Sequence, residues 1–223
     1  MSESDSFIEE VTEEVRRDRL FQLFRRYGWI GAVVVVAIVG GAAWNEWQKA
    51  QTEARAQALG DAILGALEAN EPADRVAALR TVTPETSGGA AMLSLLIAAE
   101  EAEAGNGAQA ADRLQTVATD TEVPEIYRQI AAFKALLAQG TETPAAERRQ
   151  GFGALAIPGN TLRLLAEEQI ALIDLEEGDT QAAIDRLVRI ASDAEATPGL
   201  RQRATQLIVA LGGEPPRIAA EAG

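Results

Sequence analysis

The sequence predicts an all-α protein in which one apolar helix near the N-terminus is followed by a solenoid of helical hairpins. An uncharged run extends from Gly28 to Trp44 in an otherwise polar chain. Beyond that run, apolar residues recur with a helical period, and glycines and prolines separate the periodic segments. No stretch alternates apolar and polar residues for long enough to predict a β-strand. The fold class is therefore all-α.

Residues 1–27 are predicted to form a short stub with an amphipathic helix. Ser6 and Glu9 have the spacing of a capping box, and four apolar residues between Phe7 and Val15 share one helical face. In one interpretation this helix lies along the inner leaflet of a membrane or against a membrane partner. In the other, it is a solvated flank that orders only weakly.

Residues 28–47 are predicted to form a single transmembrane helix. A helix from Trp29 to Trp47 is about 28 Å long, close to the thickness of one hydrocarbon core. Aromatic residues bracket it, with Tyr27 and Trp29 on one side and Trp44 and Trp47 on the other. Five arginines precede the run, so the positive-inside rule predicts a cytoplasmic N-terminus and an exported C-terminal part.

A cleaved signal peptide is the alternative interpretation of the apolar run. Gly41-Ala42-Ala43 would then be the small-residue cleavage site. A signal peptide normally has a shorter apolar core and a shorter leader than the stub that precedes this run. Both lengths favour the anchor.

The composition excludes several classes of function. The chain has no cysteine and no histidine, so it has no disulfide, no thiol nucleophile, no Ser-His-Asp triad and no common type of zinc site. Seven acids and five arginines up to Tyr27 leave −12 of the net charge of −14 on the part after the apolar run. Such an acidic domain is a poor match for nucleic acid or anionic lipid.

No catalytic residue, cofactor site, metal site or small-molecule substrate is predicted. The carboxylates of Glu167, Glu168 and Asp174 fall on one predicted helix, where acids normally form a solvated face. We therefore expect a protein that is not an enzyme.

Residues 48–212 are predicted to form the helical domain, and residues 213–223 a flexible tail. The first exported helix continues the anchor and ends at Asn70-Glu71-Pro72, and a second helix runs to about Val82 before a loop over residues 83–89. Further helices are predicted near residues 90–104, 108–119, 124–139, 144–155, 161–177, 180–192 and 198–211. First-turn prolines are predicted at Pro124 and Pro198, and helix-ending glycines at Gly105, Gly140, Gly178 and Gly212.

Three of these glycines mark a repeat. Gly105, Gly140 and Gly178 are separated by 35 and 38 residues, within the range of helical-hairpin solenoids. An alanine stands five residues after each glycine, and another stands seven residues before the first and the third. These alanines are Ala110, Ala145 and Ala183 on one side and Ala98 and Ala171 on the other, with Phe133 in the middle unit. Small residues at these positions predict closely crossing antiparallel helices; an ordinary alanine-rich bundle is the alternative.

The segment from Leu165 to Ile184 resembles a tetratricopeptide repeat, with a first helix, a Gly-Asp turn and a second helix that opens on Ala-Ala-Ile. Gly105 to Ala111 is a weaker copy. Together with the stub and the anchor, these repeats resemble the YfgM-like ancillary subunits of the bacterial Sec translocon. The segment from Gly88 to Ala98 is similar to the opening of that family's first well-formed repeat, and the helix from Leu164 to Gly178 falls in the same order.

The resemblance implies a single-pass protein of the bacterial inner membrane, with its N-terminus in the cytoplasm and its repeat domain in the periplasm. It also implies a non-enzymatic role beside the translocon channel and a periplasmic foldase, in which the protein assists newly exported chains as chaperones do. A membrane-tethered adaptor for another envelope complex, such as a respiratory or cell-division assembly, is the alternative function.

In paired-helix repeats, the first helix of each unit lines the concave surface that receives partners. The partner-binding residues predicted on these helices are Met92, Leu95, Tyr127, Ile130, Leu137, Leu165, Leu172 and Leu175. We refer to these eight residues as the apolar strip. The strip suits hydrophobic stretches of an unfolded or partner chain. The alternative is that the strip is core, covered by the helix from Trp47 to Ala69.

Overall fold

The computed structural model describes residues 3–216. These residues form nine α-helices and one short 3-10 helix and contain no β-strand, which confirms the all-α prediction. The helices are α1 (Glu3–Leu67), α2 (Pro72–Leu79), α3 (Ser87–Glu103), α4 (Gly107–Thr119), α5 (Glu125–Gln139), α6 (Ala145–Leu155), α7 (Arg163–Glu176), α8 (Thr180–Ser192) and α9 (Pro198–Ala210). The side chains of the predicted capping box, Ser6 and Glu9, and most of the predicted tail lie outside the described part of the chain.

The chain divides into two compact units between Ala58 and Leu59. The N-terminal unit contains the apolar part of α1. An 18-residue window of this helix has a mean hydropathy of 1.5, and none of the window is buried. By length and composition this helix is long and apolar enough to cross a membrane. The rings of Trp44 and Trp47 lie at the C-terminal edge of the uncharged run, with their centroids 5.2 Å apart.

The C-terminal unit is a series of helical hairpins, in which α3, α5, α7 and α9 each end within two residues of a predicted helix-ending glycine. Gly105, Gly178 and Gly212 adopt φ values of +82°, +85° and +80°, a conformation that favours glycine. After each of them, the next N–H donates to the carbonyl four residues before the glycine, at 2.8, 2.8 and 2.9 Å. Gly140, with φ +57°, opens the 3-10 turn Gly140–Glu142 that separates α5 from α6.

The observed helix boundaries differ from the predicted ones at several starts. Helix α3 begins at Ser87, three residues earlier than predicted and inside the predicted loop over residues 83–89. Pro124 is the residue before α5 rather than a member of its first turn, whereas Pro198 begins α9 as predicted. Helix α7 begins at Arg163, two residues later than predicted. There, Gly159 has φ +86°, and the side chain of Asn160 accepts from the backbone N–H of Leu162 at 2.8 Å. This local turn replaces the first residues of the predicted helix.

Four hydrophobic clusters form the core of the C-terminal unit, and each shares a helix with the next. The first contains the end of α1, α2 and α3; the second, α3 to α5; the third, α5 to α7; the fourth, α7 to α9. The shared helices are α3, α5 and α7, which are the first helices of three successive hairpins. This chain of neighbour contacts is the arrangement of a solenoid.

Four of the five alanines of the predicted repeat are buried at the crossings, and the fifth, Ala145, is half-buried at the start of α6. Ala98, Ala110, Ala171 and Ala183 are all at most 2% exposed. The middle hairpin differs, because Phe133 takes the place of the alanine and packs edge-on against Phe152, with ring centroids 5.6 Å apart. The alanine pattern therefore identified the crossing points of the first and third hairpins.

Candidate protein-binding groove

The structure describes all eight residues of the apolar strip, and none of them is fully buried. The exposed members are Met92, Leu137 and Leu172, and the half-buried members are Leu95, Tyr127, Ile130, Leu165 and Leu175. The exposed fractions of Met92, Leu137 and Leu172 are 38%, 45% and 39%. These positions leave apolar surface on the first helix of each hairpin.

Two strip residues, Leu95 and Leu137, line one groove between α3 and α5 with a volume of about 240 Å³. Helix α4 supplies its floor through Ala110 and Leu114. The walls are built mainly from small side chains, with one cation. They consist of Leu95, Ala98, Ala99 and Ala102 from α3 and Lys134, Leu137 and Ala138 from α5. We call this depression the α3–α5 groove.

The remaining strip residues lie elsewhere. Tyr127 packs against the α3–α5 cluster, and its ring is 3.4 Å from the point that a Cβ atom on Gly88 would occupy. Leu165 packs against the cluster of α7 to α9. Neither Leu172 nor Leu175 lines the α3–α5 groove. Only two of the eight strip residues therefore line the α3–α5 groove.

The end of α1 packs on a different face of α3. Leu59, Ile63, Ala66 and Leu67 join α2 and the α3 residues Leu93, Leu96 and Ile97 in one cluster. This cluster contains no residue of the apolar strip. Within the C-terminal unit, the last turns of α1 therefore contact the side of α3 that bears Leu93 and Ile97.

The acids at the C-terminal end of α3 pair with arginines from α2, from the residue that follows α2, and from α4. Arg75 on α2 pairs with Glu100 at 2.6 Å and with Glu103 at 3.0 Å. Glu101 receives Arg80 and Arg113, each at 2.8 Å. Lys134, by contrast, pairs with no carboxylate among the described residues. It is the one charged residue on the groove walls.

Two buried carboxylates occupy equivalent positions in the first and third hairpins, four residues before the glycine. Glu101 is 1% exposed and Asp174 is 4% exposed. Each pairs with the arginine eight residues after the same glycine, Arg113 for Glu101 and Arg186 for Asp174. Each also pairs with an arginine from the segment before its own hairpin. Glu101 pairs with Arg80, directly after α2, and Asp174 pairs with Arg149 on α6. One carboxylate therefore joins three segments of the solenoid.

The prediction that Glu167, Glu168 and Asp174 form a solvated face was wrong. Glu168 and Asp174 are buried, and Glu167 is partly buried against Arg186. Arg203 on α9 donates two hydrogen bonds to Glu168, at 2.5 and 2.6 Å. These acids hold helices together, because a carboxylate leaves water only where paired donors replace its solvation.

The electrostatics of Glu101 indicate a fixed charge rather than a proton carrier. The hydrogen bond from Arg113 lowers the pKa of Glu101, and Arg80 adds to this effect against the opposing cost of burial. Among the described residues, no group of three or more acidic side chains is placed to hold a metal ion. The α3–α5 groove is therefore the candidate site for a binding function.

Comparison with known proteins gives one match. Residues 22–146, more than half of the chain, match a family described as "Tetratricopeptide repeat-like domain". The chain therefore belongs to the tetratricopeptide repeat-like family, whose domains are typically non-enzymatic modules for protein–protein interaction. No curated protein and no solved structure matches. Helices α7 to α9 lie beyond the matched residues, and the Asp174–Arg186 pair repeats the register of the matched Glu101–Arg113 pair.

Proposed function

We propose that this protein is a membrane-anchored interaction protein that acts as an ancillary subunit of the bacterial Sec translocon. In this role it resembles the YfgM-like family and assists newly exported proteins beside periplasmic chaperones. The observation that carries the proposal is the combination of an apolar N-terminal helix with a tetratricopeptide-like domain that bears an open apolar groove. An adaptor for a respiratory or cell-division complex remains the second candidate, because the same fold serves many partners.

The proposed topology follows from the arginine excess before the apolar run. Residues 1–27 form the cytoplasmic stub, residues 28–47 cross the inner membrane, and residues 48–212 lie in the periplasm ahead of the tail at 213–223. The net negative charge of the part after the run argues against anionic lipid as its partner. The translocon channel, a periplasmic foldase and chains in export are the proposed partners.

Site-specific photocrosslinking in whole cells tests this function. A photoreactive residue at Leu95 or Leu137 in the groove should capture the channel, a foldase or an exported chain. The matched control is Val209 on α9, which is 58% exposed and does not line the groove. Capture of respiratory or division proteins alone at the groove positions would refute the translocon role and favour the second candidate.

A charged substitution separates loss of binding from loss of folding. Leu137→Glu adds a carboxylate at a residue that is 45% exposed, so the new charge stays in water and the melting temperature should hardly change. Crosslinking from Leu95 should weaken in this variant because the groove is no longer apolar. A large fall in melting temperature would show that Leu137 is core, and the groove would then lose its proposed role.

A further inference from the structure

The α3–α5 groove has a chemical composition that restricts what it can bind, and this inference rests on the proposed interaction function. Eight of its nine lining residues are leucine or alanine, and the ninth is Lys134. The three glutamates at the C-terminal end of α3 are held by Arg75, Arg80 and Arg113. The groove therefore offers an occupant apolar contact and one positive charge, which pairs with no carboxylate in the part of the chain that the structure describes.

The absence of polar side chains other than Lys134 on these walls decides the backbone conformation of the occupant. An extended peptide would turn backbone N–H and C=O groups toward leucine and alanine, where nothing in the groove lining can bond them. A helix satisfies these groups internally. The exposed alanines at positions 99 and 102 also present little bulk, which lets a helix backbone approach α3 closely.

The size of the groove agrees with a helix that inserts one or two side chains. Its volume of about 240 Å³ is below the range of about 300–1,000 Å³ that is usual for small-molecule sites. It exceeds the roughly 150 Å³ of a cavity that holds one benzene ring. Anchors at i and i+3 or i+4 on a single helix face would fill such a space.

We propose that the α3–α5 groove binds an amphipathic helix of a partner protein, whose apolar face packs between Leu95 and Leu137 and which presents a carboxylate to Lys134. The lysine selects the partner by charge, and the alanines select it by backbone shape. This assigns Lys134 as the residue that fixes the orientation of the bound helix.

Synthetic peptides test the proposal on the full chain in lipid nanodiscs. The probes are fluorescein-labelled peptides of about five helical turns, with leucine or phenylalanine on one face and one glutamate at its edge. Matched peptides replace that glutamate by glutamine or by lysine, and an extended control carries prolines in the helix interior. Fluorescence polarisation measures binding, and the signal from empty nanodiscs is subtracted.

The expected result is a charge swap. Lys134→Glu should weaken the glutamate peptide by about fivefold and should favour the lysine peptide by a similar factor. Arg189→Glu is the matched reversal, because Arg189 is exposed on α8 and does not line the groove. Ala99→Trp should block the groove, whereas Ala77→Trp, at an exposed alanine of α2 outside it, should have no effect.

Three results would overturn the proposal: binding that Lys134→Glu leaves unchanged, equal binding of the proline peptide, or no binding of any peptide. A dimer of the full chain that Ala99→Trp dissociates would identify a second copy as the occupant and would also overturn it. Circular dichroism melting of each variant shows whether the fold is retained. The crosslinking experiment reports separately on the interaction function, so capture of a partner from Leu95 alongside any of these failures would leave that function standing.

Discussion

The first and third hairpins of the solenoid close around a buried carboxylate, whereas the middle hairpin closes around a leucine. Four residues before the helix-ending glycine stand Glu101, Leu136 and Asp174 in the three hairpins. Eight residues after the glycine, each of the three hairpins has an arginine. In the outer hairpins the arginine binds the acid of its own unit. The position four residues before the glycine therefore makes an ion pair in two hairpins and an apolar contact in the third.

In the middle hairpin, the arginine has a different partner. Arg148 is 8% exposed and donates to the carbonyl of Thr143 and to Glu176 on α7. Leu136 instead lies against Gly151 on α6, where an added Cβ would be only 2.4 Å from a methyl carbon of the leucine. The middle hairpin therefore retains the arginine, but this arginine binds an acid of the next hairpin. The absence of a side chain at Gly151 leaves space for Leu136.

The hairpins of this one chain show what is needed to replace a buried acid by a leucine. An ion triad is directional and joins three segments, but each carboxylate must be fully paired once it is buried. A leucine needs no partner, yet it needs space, which here requires the absence of a side chain at Gly151. Each solution therefore depends on residues at several positions, and neither can be exchanged by a single substitution.

The largest effect is expected for removal of a buried acid. Glu101→Gln keeps the shape of the side chain but leaves Arg80 and Arg113 without a charged partner. Because both arginines still reach water, with side chains 52% and 29% exposed, the free energy of unfolding should fall by about 2 kcal/mol. Chemical denaturation of the full chain measures this loss. Glu103→Gln, at a side chain that is 64% exposed, is the control and should cost at most about 0.5 kcal/mol.

The pH dependence of stability checks the same prediction. Since the pKa of Glu101 is lowered in the folded state, its contribution is fully present above the unfolded pKa of about 4.3 and is lost as the pH falls through the folded pKa. The Glu101→Gln variant should lack this part of the acid limb below about pH 4. An equal acid limb in both proteins would contradict the assignment of Glu101 as a fixed charge.

These buried acids also show where sequence analysis succeeded and where it failed. The helix ends at Gly105 and Gly178 and the crossings at Ala98 and Ala171 were predictable, because helix termination and small-residue packing depend on local pattern. The roles of Glu168 and Asp174 were not predicted, since their arginine partners come from other helices. Glu168 pairs with a residue 35 positions away, and Asp174 with residues 25 and 12 positions away.

A signal for the junctions was nevertheless present in the sequence. An acid four residues before the glycine and an arginine eight residues after it recur at Gly105 and at Gly178. The extent of the groove had no comparable signal. Leu172 and Leu175 were predicted from the same helical pattern as Leu95 and Leu137. Only the packing of the hairpins determines which of these residues line one groove.

A smaller effect is expected from filling the space beside Leu136. Gly151→Ala should lower the free energy of unfolding by about 1–2 kcal/mol, because the new methyl group overlaps the end of the leucine side chain. Gly153→Ala is the matched control two residues along the same helix. A Cβ there meets nothing within 4 Å, so this variant should be more stable by about 0.5–1 kcal/mol.

A double-mutant cycle tests the cause of the Gly151 effect. In a Leu136→Ala background the overlap is gone, and Gly151→Ala should then be neutral or stabilising, as Gly153→Ala is. If the loss persisted without the leucine, the close contact between Leu136 and Gly151 would not explain it.

The smallest effect concerns the residue after the glycine, which is the N-cap of the second helix in the first and third hairpins. Asp179 accepts a hydrogen bond from the N–H of Ala182 at 3.0 Å, whereas Asn106, with a similar backbone conformation, makes no such bond. Asp179→Ala should therefore cost about 1 kcal/mol and Asn106→Ala only a few tenths, because only the first removes a cap. Asn106→Asp should gain up to about 0.5 kcal/mol, since a carboxylate at a helix N-terminus also meets the positive end of the helix dipole. Urea denaturation of the three full-length variants measures these differences, and equal losses at positions 106 and 179 would show that the cap bond of Asp179 does not distinguish the two hairpins.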